Sequence, residues 1–186
     1  MPLPELNTII DELTQASAYV DREQVRALCE ACQRAERVFV SGAGRSGFVA
    51  RALSNRLLHL GINVSFVGEP TTPPITANDL LIIISGSGAT ASLRVMAEKA
   101  CALNATLATI TLNPQGPVAQ MASHRIILPG RTHLAMQVET PIASKQFSGS
   151  LFEQMAWLTC DALVMLLRHE MSQSVEVMQT RHANLE

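Results

Sequence analysis

Two loops rich in glycine and serine, each directly after a short apolar run, carry the residue types that hold a phosphate. The first is Ser41-Gly42-Ala43-Gly44-Arg45-Ser46-Gly47, after Val38-Phe39-Val40. The second is Ser85-Gly86-Ser87-Gly88-Ala89-Thr90, after Leu80-Leu81-Ile82-Ile83-Ile84. Each leads into a helix-like stretch, so each reads as strand, tight turn and helix start. The free N–H groups and positive dipole end of a helix start attract an anion. Glycine lets the backbone approach that anion, and hydroxyls add donors. Two such loops on neighbouring strands predict a small phosphorylated ligand between them. Ser46, Ser85, Gly86, Ser87, Gly88 and Thr90 are the phosphate candidates. Gly44 and Ser41 are further ligand candidates, though Ser41 equally reads as a strand end.

Gly42-x-Gly44-x-x-Gly47 also fits the dinucleotide fingerprint, with Glu69 near the end of the second strand as a ribose-binding carboxylate. A dehydrogenase of 186 residues has little room for a substrate domain, and the fingerprint leaves the second loop unexplained.

The elements that position these loops alternate. Strand 37–41, helix 46–60, strand 62–67, strand 80–85, helix 90–103, strand 106–112, a short helix near Pro117 and strand 125–128 predict right-handed βαβ units around a five-stranded parallel sheet. The stretch Gly68-Glu69-Pro70 to Pro74 reads as loop. Ligands of such a sheet sit beyond the carboxyl ends of its strands, where both glycine loops lie. Leu6, Ile9, Ile10, Leu13 and Ala16 recur at helical spacing, predicting an amphipathic helix over 5–19. Asp21 reads as the N-cap of a second helix to about Ala35, with Gln24 three residues on. This pair forms a leading arm (1–36) of the kind that packs on a partner subunit. Residues 130–149 form a long polar loop, functional or mobile. Ser148-Gly149-Ser150 caps a long helix, 150–169, apolar nearly all round and so expected to be buried on several sides.

Length predicts one domain spanning 1–186: the arm, a core at 37–130, and the helix and tail at 150–186. Charged residues are only 16% of the chain against about 25% in ordinary domains, which favours burial against copies of itself. A net charge of −2 with no basic stripe argues against nucleic acid as a partner. Residues 1–5 show no signal peptide. The apolar run Leu151–Leu167 is broken by Glu153, Gln154 and Asp161 and falls short of the roughly 20 residues a membrane span needs. A cytoplasmic protein is expected. Cys29-x-x-Cys32 has the spacing of a zinc half-site or redox pair, but it lies mid-helix without a second pair and reads as structural.

Taken together, the chain resembles the sugar isomerase (SIS) domain family, whose phosphate loop reads Ser-x-Ser-Gly-x-Thr. Within that family it is most similar to the 6-phospho-3-hexuloisomerases. The similarity lies in the stretches 42–50, Arg56-Leu57-Leu58-His59-Leu60-Gly61, Ser150-Leu151-Phe152-Glu153-Gln154 and Arg181-His182-Ala183-Asn184-Leu185-Glu186. The chain departs from the pattern at Ala89, where the family usually carries Glu, and over 131–147. The resemblance implies a flavodoxin-like three-layer α/β sandwich, assembled as a homotetramer with shared active sites. It also implies interconversion of D-arabino-hex-3-ulose 6-phosphate and fructose 6-phosphate through an enediol. A non-catalytic sugar-phosphate sensor and another phosphosugar isomerase are the alternatives.

Moving a carbonyl between neighbouring carbons needs a base, and an acid–base at the oxygens; neither a cofactor nor a metal is required. Glu153, in the first turn of the apolar helix, is the candidate base. His182 in the tail motif is the candidate acid–base, supplied by a neighbouring chain as in related isomerases. Arg45 would meet the phosphate or steady an enediolate. Glu69 would reach a sugar hydroxyl or stand as a plain strand-end carboxylate. His59, His124, His133 and His169 read as packed or surface histidines.

Overall fold

The computed structural model describes residues 3–185; Met1, Pro2 and Glu186, the last residue of the tail motif, lie outside them. Five strands, β1 (Val38–Gly42), β2 (Val64–Phe66), β3 (Leu80–Ile84), β4 (Thr106–Thr111) and β5 (His124–Ile127), form one parallel sheet in the order β2-β1-β3-β4-β5. The central β3, Leu-Leu-Ile-Ile-Ile, is buried at every position, the pattern of a strand covered on both faces. Helices α1 (Pro4–Ser17), α2 (Arg22–Arg34), α3 (Gly44–His59) and α6 (Ser150–Glu170) cover one face. Val25, Leu28, Leu53, Leu57, Phe152 and Leu163 fill that side. Helices α4 (Ala91–Ala102) and α5 (Pro117–Met121) cover the other, around Leu93, Ala97 and Val118. This is the expected α/β sandwich.

Several local features differ from the sequence reading. Strand β2 is cut to three residues, because Gly61, at φ +84°, turns the chain and Ile62 N–H still bonds to Leu57 O of α3. Asp21 caps α2 as expected, accepting from the N–H groups of Glu23 and Gln24. The Gln24 side chain does not reach back to the cap; it accepts from Ile127 N–H at 2.8 Å and ties α2 to β5. No hydroxyl caps α6: its N-cap is Gly149 at φ +100°. A short helix, α7 (Val175–Thr180), capped by Ser174, follows α6.

The leading helices pack within their own chain, α2 burying Leu28, Cys29 and Cys32. The opposite side of α1 leaves Leu3, Leu6 and Ile10 exposed. Burial, then the charges of Glu170 and Glu30, pushes the Cys29 thiol up to about 12. Burial, then Cys29, does the same to Cys32, also to about 12. Such thiols are inert packing groups. Helix α6, at 21 residues, is longer than the sequence reading allowed and could cross a membrane by length and composition. Half of its apolar window is buried within the fold, where Leu151, Met155, Cys160 and Leu167 join the core. Burial is one-sided, however: Trp157, Leu158 and Met165 stand exposed in the single chain.

Candidate functional site

Strands β1 and β3 are neighbours, with Gly42 opposite Ile84, so both glycine loops emerge side by side at the carboxyl ends of the strands. Each is followed by a helix start, α3 at Gly44 and α4 at Ala91. Gly42 and Gly47 allow α3 to press onto β1: a Cβ on Gly42 would lie 2.7 Å from Ser46 O, and one on Gly47 3.0 Å from Gly42 O. The fingerprint-like glycine spacing therefore has a packing cause. Gly44 opens α3 at φ +57°.

The second loop is held from behind by residues that the sequence reading missed. Thr111 Oγ1 donates to Gly86 O at 2.9 Å and Asn113 Nδ2 to Ser87 O at 3.1 Å. Val118 N–H donates to Gly88 O at 3.1 Å. Within the loop, Ser85 Oγ accepts from Gly88 N–H at 3.2 Å and Ser87 Oγ from Ala89 N–H at 3.1 Å. Thr90 is the N-cap of α4, and its side chain makes no capping bond.

Both loops open into one cavity of about 490 Å³. It is lined by Gly44, Arg45, Ser46, Ser85, Gly86, Ser87 and Thr90, with Glu153 on the opposite wall. Glu153 accepts a charge-assisted hydrogen bond from Arg45 Nε. Its side chain is 18% exposed, against 65% for Arg45. Gly149 makes room for this carboxylate, since a Cβ there would stand 3.3 Å from Glu153 Oε1. The remaining wall comes from the 130–149 loop: Thr132, His133, Leu134, Phe147 and Ser148. His133, read as packed or surface, thus borders the cavity. The length of that loop was the only sequence signal for these residues.

Three sequence candidates are elsewhere. Ser41 is buried on β1 and donates to Met96 Sδ at 3.3 Å; its side chain serves the β1–α4 packing. Glu69 pairs with Arg51 Nη1 at 3.0 Å, while that guanidinium stacks on Phe66. The strand-end carboxylate is therefore a surface ion-pair partner and outside the cavity. His182 lies at the opposite end of α3 and α6, beside Arg56, His59, Asp161 and Met165. Its ring stacks on His59 with centroids 4.8 Å apart. A helix of 16 residues is roughly 24 Å long, so the chain does not bring its own His182 to Glu153. Nor does the tail hang loose. Arg181 Nη1 donates to His59 O, at the carboxyl end of α3, and to Gln173 Oε1, both at 3.0 Å. Burial, then His182 and Arg56, depresses the protonation of His59.

Serine and backbone donors at two adjacent helix starts suit a phosphate, and the carboxylate beyond them suits proton transfer to carbon. The SIS domain model matches residues 32–157. The chain belongs to the SIS domain family. Two relatives each described as a 3-hexulose-6-phosphate isomerase align over nearly the whole chain. The Mycobacterium gastri protein is 40% identical, covering 97% of this chain and 89% of its own. The Bacillus subtilis protein is 39% identical, covering 96% and 95%. A solved structure from Methanococcus jannaschii, described as inferring a molecular function of 3-hexulose-6-phosphate isomerase, superposes with a TM-score of 0.83. It is 30% identical and covers 99% of this chain and all of its own.

Proposed function

We propose that this SIS domain is a 3-hexulose-6-phosphate isomerase that interconverts the 3-ketose with fructose 6-phosphate. The observation that carries this reading is a single cavity in which two anion-binding loops face the Glu153–Arg45 pair. The phosphate sits on Ser46, Ser85, Ser87, Thr90 and the loop N–H groups, anchoring the sugar chain toward Glu153. Glu153 removes the proton from C2, giving a 2,3-enediolate, and returns it to C3. An imidazole gives a proton to O3 and accepts the one leaving O2. The reaction is redox-neutral within the substrate, and Arg45 both orients Glu153 and lies near the developing enediolate charge.

The imidazole is His182 of a neighbouring copy. The tail is docked on α3, and the exposed face of α6 beside it, Met165 above all, offers the surface on which copies meet. A homotetramer with shared sites, each chain a single domain with its leading helices and tail at the interfaces, fits this arrangement and a cytoplasmic setting. The deciding experiment supplies purified protein with the hexulose phosphate and no added cofactor, and follows formation of fructose 6-phosphate. Turnover supports the isomerase. Tight binding without turnover supports a sugar-phosphate sensor instead.

A further inference from the structure

One carboxylate outside the cavity is nearly as withdrawn from water as the core. Glu12, on α1, is 6% exposed, and all its hydrogen-bond donors come from one stretch of the 130–149 loop. Ser144 Oγ donates to it at 2.6 Å, Lys145 N–H at 2.8 Å and Gln146 Nε2 at 3.0 Å. Ser144 Oγ in turn accepts from Gln146 N–H at 3.1 Å. Burial pushes the carboxyl up, but the bonds from Ser144, Gln146 and Lys145, with the lysine charge, outweigh it and hold Glu12 below the usual carboxylate range.

A buried charge is costly unless it is partnered in this way. Docking α1 on the core does not call for one, since Leu13 and Ala16 already face that side. What the carboxylate adds is directional hold on a segment with no helix or strand of its own. That segment immediately precedes Phe147, Ser148 and Gly149, which wall the cavity and lead into the first turn of α6, where Glu153 stands. Farther back, Gly130 N–H donates to Thr140 Oγ1 at 3.2 Å. The loop is thus fastened at two points, with Thr132 and His133 reaching the cavity inside the stretch that the Gly130–Thr140 bond closes.

We propose that Glu12 is a positioning residue: by gripping residues 144–146 it sets the cavity wall at 147–149 and the entry of α6, and so the placement of Glu153 over the substrate. The kinetic consequence rests on the isomerase reading; the grip itself does not. The test compares E12A with S144A/Q146A, which disarms the grip from the loop side and leaves α1 intact. Hydrogen exchange is read over 141–149 and over the phosphate loop 85–90, alongside turnover per folded molecule and affinity for inorganic phosphate. In both variants exchange over 141–149 rises at least about tenfold while 85–90 stays as in the wild type. Because a displacement near 1 Å can cost about a hundredfold in rate, kcat falls roughly ten- to a hundredfold. KM changes less than about threefold, and phosphate affinity holds. The triple variant is no worse than E12A, as members of one network are non-additive. Unchanged exchange over 141–149, or a lowered melting temperature with unchanged kcat, overturns the proposal. A wild-type protein that binds phosphate but turns nothing over sinks the isomerase reading alone. The exchange pattern then decides Glu12 by itself.

Discussion

Gly116 does not line the proposed ligand cavity, yet Gly116→Ala should weaken ligand binding. Its φ of −64° suits alanine, so backbone strain is no part of the effect. The added Cβ would lie 2.6 Å from Ser87 O, 3.2 Å from Asn113 O and 3.3 Å from Asn113 Nδ2. A separation below 3.0 Å forces a shift, and the atom that must retreat is the carbonyl of the second glycine loop that Asn113 holds. Overpacking of this kind costs about 1–3 kcal/mol of stability. If the displaced loop loses one charge-assisted bond to phosphate, binding loses about 1.5–3 kcal/mol, roughly ten- to a hundredfold. Calorimetric titration with fructose 6-phosphate, beside a thermal melt, measures both. KM should rise by a similar factor with kcat nearly constant, because Glu153 stands on α6. Affinity within about twofold of wild type, despite a lowered melting temperature, would refute the phosphate role of the loop. A collapse of kcat with intact affinity would refute the separation of grip from chemistry.

Four further outcomes are expected. Glu153→Gln keeps the shape of the site but removes the base, so kcat drops about 10²–10⁴-fold while phosphate binding survives; near-normal turnover means that the base lies elsewhere. Glu153→Gln and His182→Ala chains, unfolded together and refolded as mixed oligomers, should recover roughly a quarter of wild-type activity if each site draws one residue from each of two chains. Activity no higher than that of the separate variants would end the shared-site reading. A hexose phosphate should raise the melting temperature by mass action and NAD should not; stabilisation by NAD alone would restore the dinucleotide reading. Finally, Glu12 binds its proton less readily folded than at its ordinary value of 4.5. Its contribution is complete above that value and is lost as pH falls through the lower folded value. Urea melts of Glu12→Gln should therefore show a deficit near neutrality that shrinks below about pH 4.5; a constant deficit across that range would contradict the assignment.

The sheet was legible because β1 and β3 begin as apolar runs that end in glycine loops, the strands alternate with helices, and β3 needs no alternation when both faces are covered. The two loops were legible for the same local reason. What escaped depends on contacts between distant segments. Glu69 has the residue type and position of a ligand contact, but Arg51, one helix back, claims it. Ser41 sits in a glycine loop, yet strand alternation aims it at Met96. Thr111 and Asn113 support the second glycine loop from the next strand over and the turn after it. No periodicity marks them. The 130–149 loop has no regular hydrogen-bonding pattern, and the carboxylate that grips its 144–146 stretch, Glu12, stands more than a hundred residues earlier.

The hydrogen bonds inside the second loop bear on how long a ligand stays. Ser85 and Ser87 already occupy the N–H groups of Gly88 and Ala89, so a phosphate bound there, as proposed, would trade with them for those donors. Each exchange would yield only the difference between a charge-assisted bond to phosphate and a neutral bond to serine, part of the gross strength of the former. Those two N–H groups would then add less to the hold than unoccupied ones, and when the sugar departs the serines would close over them again. For a reversible isomerisation such an exchange would favour release of the product over prolonged residence.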